Sequence, residues 1–195
     1  MALYVICGLG NPGKEYENTR HNIGFHALDF LAEKEGISIT KKKFHASIGE
    51  GRIGSERVIL AEPQTYMNAS GQAVREIVSY FKIPTDHLIV VYDDFDIPLG
   101  SLRIRRFGSA GTHNGMRSIV KELGTTDFPR IRIGTGKKDK GDLIRFVIGD
   151  FQEDEKKIVK EAAELAADAA VAIVEQGIDL AMNRYNTKKN KGKNE

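Results

Sequence analysis

Short apolar runs of strand length alternate with amphipathic stretches of helical spacing along most of this chain, and few folds accommodate that pattern. Tyr4 to Leu9 is an apolar run closed by glycine, which predicts a buried strand. Ile23, Ala27, Phe30 and Leu31 then recur at helical spacing until Gly36. Residues 46–61 read as two strands around Gly54-Ser55. Ala73, Ile77, Val78 and Phe81 predict a helix, N-capped near Ser70 and ended before Pro84. Leu88 to Tyr92 is the most apolar run and reads as a central strand ending at Asp93-Asp94. Leu102 to Arg106 predicts an edge strand, and residues 131–134 a short one. Met116, Ile119, Val120 and Leu123 mark a short helix after a glycine-rich loop. A long amphipathic helix follows from Glu153 to about residue 174, with a last turn or two over 178–186. Such alternation predicts an α/β layered fold around a mostly parallel sheet, made mixed by the 46–61 hairpin. No internal repeat or second domain is visible, so residues 1–186 are expected to form one domain. The lysine-rich residues 187–195 are expected to be a disordered tail.

Composition narrows the function classes. A chain of 195 residues is long enough to bury a core without staples. No apolar run approaches the roughly 18 residues of a membrane span. The N-terminus lacks the pattern of a secretory signal. The single cysteine, Cys7, can form neither an internal disulfide nor a cysteine zinc site, and a reducing cytoplasm is the simplest setting. Net charge is only +2, but residues 103–140 carry ten basic groups against three acidic. A basic segment in a near-neutral chain points to a polyanionic partner, nucleic acid or phosphate.

Two familiar motifs mislead. Gly8-Leu9-Gly10-Asn11-Pro12-Gly13 matches a dinucleotide fingerprint, and Gly8 to Lys14 matches the start of a P-loop. Glu15 stands where a P-loop needs a hydroxyl for Mg²⁺. Pro12 removes an N–H that pyrophosphate would need, and no helical stripe begins before Ile23. A sharp turn after a strand accounts for these glycines better.

The residues left to do chemistry lie at strand ends. Asn11 follows the first strand, His21 sits in Thr19-Arg20-His21-Asn22, and Asn68 lies beyond the strand ending near Ala61. Asp93 ends the central strand, and Asn114 stands where a glycine-rich loop meets a helix. Ligands of open α/β sheets gather outside the carboxyl ends of the strands, so these residues can converge. Histidine paired with aspartate is a general base, and with no evident Ser or Cys nucleophile it would activate water directly. The asparagines can hold amide groups and an oxyanion. Asp93, Asp94 and Asp96 are read as a turn of solvated acids in preference to a metal site. Two rival readings stay open here: a P-loop-like NTPase, and a non-catalytic RNA-binding module built on the basic segment.

Six motifs bring in a resemblance. They are residues 8–13, Tyr16-Glu-Asn-Thr-Arg-His-Asn-Ile-Gly24, Pro63-Gln-Thr-Tyr-Met-Asn-Ala-Ser-Gly71, Asp93 after its apolar strand, Gly111-Thr-His-Asn-Gly-Met116 and Ile131-Arg-Ile-Gly134. In this order they resemble the bacterial-type peptidyl-tRNA hydrolases. The resemblance implies a three-layer α/β domain with a mixed, twisted sheet, acting as a cytoplasmic monomer without cofactor or metal. It implies cleavage of the ester between a peptide and the 3′ ribose of tRNA, which recycles tRNA from abandoned translation. His21 would be the base and Asp93 its partner, while Asn11 would tell a blocked aminoacyl group from a free amine. Asn68 and Asn114 would position substrate, Tyr16 and Tyr66 would lie beside the tRNA 3′ end, and Met67 would make an apolar contact. Arg105 and Arg132 would clamp the tRNA 5′ phosphate. Arg105 stands where lysine is expected in many members, Thr112 replaces a common glycine, and Tyr66 stands where phenylalanine also occurs.

Overall fold

The computed structural model describes residues 2–136 and 143–186; the tail expected at 187–195 lies outside the described residues. Seven strands form one sheet in the order β2-β3-β4-β1-β5-β7-β6. They are β1 (Leu3–Gly8), β2 (Lys41–Lys43), β3 (Ala46–Ile53), β4 (Glu56–Pro63), β5 (Leu88–Asp94), β6 (Leu102–Arg105) and β7 (Arg130–Gly134). The four central strands β4, β1, β5 and β7 pair in parallel. Antiparallel ladders flank them on both sides. β6 is the edge strand its position in the sequence suggested.

Helices cover both faces. On one lie α1 (Ile23–Glu35), α5 (Glu153–Gln176) and α6 (Ile178–Tyr185), packed over Ile6, Leu60, Ile89 and Ile131. On the other lie α2 (Ser70–Phe81) and α3 (Asn114–Leu123), packed over Val5, Cys7, Ile59 and Val90. Consecutive strand residues thus feed opposite cores, which is why the central strands read as unbroken apolar runs. Each fully buried Ile or Leu contributes about 1.5–3 kcal/mol. α5 meets the sheet and α1 with six alanines between 162 and 170, small enough for close packing. Gln152 and Glu155 form a capping box at its start.

Three local features depart from the sequence reading. β2 is a strand of three exposed lysines at the free edge, where charge discourages pairing with another chain. A short helix α4 (Leu143–Val147) precedes α5 and is too brief to show a period. Ser70 does not cap α2. It is the first residue of the helix, its hydroxyl donates to Met67 O at 2.7 Å, and a 3-10 turn at Met67–Ala69 leads the chain in.

The carboxyl ends of the parallel strands point the same way and carry the loops from Leu9, Gln64, Phe95 and Thr135. None of the helices among the described residues is long and apolar enough to cross a membrane.

Candidate active site

Glycine decides where the first site residue stands. A Cβ on Gly24 would lie 2.5 Å from Val91 O and 2.6 Å from Leu9 O, and one on Gly8 would lie 2.3 Å from Gly24 O. Without side chains at these positions, α1 starts directly on the ends of β1 and β5. The 3-10 turn Arg20–Asn22 just before it places His21 over the end of β5. Gly8 and Gly10 of the false fingerprint therefore serve the packing of α1. Only a three-residue 3-10 turn, Lys14–Tyr16, follows Gly13, so no helix N-terminus is offered to a phosphate there.

His21 Nδ1 lies 2.9 and 2.8 Å from the two oxygens of Asp93. A carboxylate only accepts, so Nδ1 carries the proton and the Nε2 lone pair is left for substrate. Asp93 is 2% exposed and meets a second imidazole, with His113 Nε2 2.8 Å from Oδ1. His113 is the N-cap of α3, and its Nδ1 accepts from Met116 N–H at 3.2 Å. That bond fixes the other tautomer, in which Nε2–H donates to Asp93. Burial alone would raise the Asp93 pKa, but the two imidazoles and their hydrogen bonds outweigh it and hold the carboxyl well below the usual range. Burial pulls the His21 pKa down, while the charge of Asp93 and its hydrogen bond together raise it above the ordinary histidine value.

His21, Asp93 and His113 offer three ligand atoms within 4.8 Å of one another. Where the three meet, at Asp93, protons and lone pairs are already matched. To ligate a cation through Nε2, His113 would have to move its proton to Nδ1 and give up the cap on α3. Asp93 is thus not one of a set of solvated acids. Asp94 also has partners: Arg132 Nη1 at 3.1 Å and the Asp96 N–H at 2.9 Å.

Asn11 is held by a residue the sequence reading did not single out. Asn22 Oδ1 accepts from Asn11 N–H at 2.8 Å, and Asn22 Nδ2 donates to Asn11 O at 2.9 Å. Asn11 Oδ1 in turn accepts from Met67 N–H at 2.7 Å. That bond fixes the orientation of the carboxamide, and its amide N–H groups remain to offer a ligand. Met67 is buried, with its sulfur against Gly115. Asn68 and Asn114 are exposed beside it, at the starts of the chain segments leading into α2 and α3. Tyr66, half exposed and in a left-handed backbone conformation, meets Tyr16 edge-on at 6.3 Å.

A cavity of about 160 Å³ opens over this floor, lined by His21, Asp93, His113, Asn114, Arg132 and Ile144 among others. Arg132 stands at it, but Arg105 does not. In the β6–β7 ladder Arg103 lies opposite Arg132, and Arg105 lies opposite Arg130, two residues further from the cavity. Arg105 is exposed on the same sheet face. A second cavity, about 390 Å³, is lined by Asn11, Lys14, Asn22, Asp29 and Glu62. His113 and Asn22 both fall inside motifs of the sequence. Only their position next to recognised residues could have signalled them, since their partners are distant in the chain.

The His21–Asp93 pair thus lies at a cavity that Asn114 and Arg132 also line. The profile of the family described as peptidyl-tRNA hydrolase matches residues 5–193. The chain belongs to the peptidyl-tRNA hydrolase family. The peptidyl-tRNA hydrolase of Caldanaerobacter subterraneus subsp. tengcongensis is 54% identical over 94% of this chain and 100% of its own length. That of Alkaliphilus metalliredigens is 55% identical with the same coverage. The crystal structure of the Acinetobacter baumannii peptidyl-tRNA hydrolase superposes with a TM-score of 0.90 at 36% identity, covering 95% of each chain. The resemblance drawn from the six motifs holds, as does the α/β fold it implied. Neither an NTPase nor a non-catalytic RNA binder is favoured for this peptidyl-tRNA hydrolase.

Proposed function

We propose that the enzyme cleaves the ester between peptide and tRNA 3′ ribose with a water activated by His21. The observation that carries this reading is the His21–Asp93 pair, in which Nδ1 is bound to the carboxylate and Nε2 has no partner among the described residues. Nε2 takes a proton from water, and the hydroxide formed attacks the ester carbonyl. Asp93 stabilises the imidazolium, which then returns the proton to the departing ribose oxygen. Asn68 and Asn114 position substrate and supply N–H donors to the oxyanion. Asn11 selects the substrate: its carboxamide is oriented by the bond from Met67 N–H to its oxygen, which leaves its N–H donors for the ligand. A peptide carbonyl accepts from them, whereas the ammonium of an unblocked aminoacyl-tRNA cannot.

Tyr16 and Tyr66 flank the tRNA 3′ end, Met67 makes the apolar contact, and Arg132 with Arg105 engages the 5′ phosphate. The enzyme works as a monomer in the cytoplasm, where its substrate is made, and needs no cofactor. The test pairs N-acetyl-aminoacyl-tRNA with the same aminoacyl-tRNA unblocked, in EDTA and without nucleotide. Release from the blocked substrate alone is expected, and His21→Ala should abolish it while tRNA binding persists. Normal turnover by His21→Ala would sink the mechanism.

A further inference from the structure

The residue next to the base makes more contacts than any cation placed by chance on a surface. Arg20 is only 8% exposed, although it carries a full guanidinium. Its Nη1 donates to Phe146 O at 3.2 Å and to Asp150 O at 3.1 Å. Its Nη2 meets Glu155 Oε1, at the start of α5, at 3.3 Å. The guanidinium carbon stands 4.3 Å from the centre of the Phe146 ring and 5.4 Å from that of Phe151. The backbone adds to this: Arg20 N–H donates to Gly149 O at 3.1 Å, and Thr19 bridges to Asp150.

All of these partners belong to α4, to the loop behind it, or to the first turn of α5. α4 has five residues, too few to hold a helix by its own hydrogen bonds. Yet Ile144 and Val147 of α4 line the catalytic cavity opposite His21 and Asp93. Ile144 is 65% exposed, an apolar side chain facing open space at the mouth of the site.

We propose that Arg20 is a positioning residue that fixes the α4 wall of the substrate cavity to the same turn that carries the catalytic histidine. The planar fork reaches two carbonyls and a carboxylate together, and its faces take up two rings. No other side chain combines these functions. Arg20 does not contact the reacting atoms. Its effect passes through Ile144 and Val147, which line the cavity. Removing it should loosen substrate capture and leave proton transfer by His21 as it was. This inference rests on the reading of the cavity as the substrate site.

The test is steady-state hydrolysis of N-acetyl-aminoacyl-tRNA across pH by Arg20→Met, Arg20→Lys, Ile144→Ala and the two double variants. For Arg20→Met, KM should rise about tenfold with kcat within about twofold, the pattern of lost binding common to ground and transition states. The pH profile of kcat should stay in place, and Arg20→Lys should recover part of KM. The loss from Ile144→Ala should shrink in either Arg20 background, because the wall it belongs to has already been released. If Arg20→Met does not fold, the cycle in the Arg20→Lys background reads the same coupling. An unchanged KM, a shifted pH profile, or strictly additive effects of Arg20 and Ile144 would overturn the proposal. Turnover retained by His21→Ala would overturn the reading beneath it instead.

Discussion

His21, Asp93 and His113 act as one unit because a single buried carboxylate bonds both imidazoles. The raised pKa of His21 has two consequences of definite sign. On the proposed mechanism the free base is the active form, so kcat should fall with decreasing pH through a midpoint above the ordinary histidine value. Asp93→Asn removes the charge that raises it, so the midpoint should move down while kcat drops; a pH–rate profile of each protein checks both. For stability, the raised His21 pKa contributes below the unfolded value and is lost as pH rises through the folded one. The depressed Asp93 pKa contributes above its unfolded value and is lost as pH falls. Asn22 is the other residue on which the site depends. Asn22→Ala leaves the buried N–H and C=O of Asn11 without their partners, which costs about 1–3 kcal/mol for each group left unpaired. Urea denaturation should show that loss, and discrimination against unblocked aminoacyl-tRNA should weaken with it.

At the scale of elements, the site depends on how closely α1 approaches β1 and β5. Gly24→Ala puts a methyl group against two backbone oxygens that cannot turn away. A destabilisation of about 1–3 kcal/mol is expected from the strain, together with a loss of kcat as His21 is displaced. A thermal melt and a single-turnover rate measure the two effects separately. The glycine-rich loop before α3 depends instead on Arg130, whose side chain is buried on β7. It donates to the carbonyls of Gly108 and Thr126 at 2.6 Å and of Phe128 at 3.2 Å. Arg130→Met should therefore lower stability by about 1–3 kcal/mol through orphaned carbonyls. Faster amide exchange around residues 108–113, with the β1–β5 pairing unchanged, would show that the loss is local.

Over the whole molecule, charge and topology work together. The sheet order brings the basic strands β6 and β7 to one edge, next to the end of β5 that carries Asp93. Phosphate contacts release counterions, so KM should rise steeply with salt, and Arg132→Ala should lower the salt slope by about one. An unchanged slope in that variant would remove Arg132 from the phosphate contact.

The elements with a strong period were all legible from the chain: the apolar runs of β1 and β5, the stripes of α1 and α2, and the length of α5. Period and burial are properties of neighbours in sequence, so sequence determined them. β2 and α4 escaped because three lysines and five residues carry no period. The motifs also held both partners of the His21–Asp93 pair, because chemistry restricts which residue types can form one. Tertiary structure alone decided the rest. It turned the Gly8 fingerprint into a helix crossing, made His113 a partner of Asp93 20 residues away, and set Arg103 opposite Arg132 in the β6–β7 ladder. It also tied Arg20 to Glu155 across 135 positions. Each of these is a contact across strands or layers, fixed by register and close packing, and no local pattern encodes it.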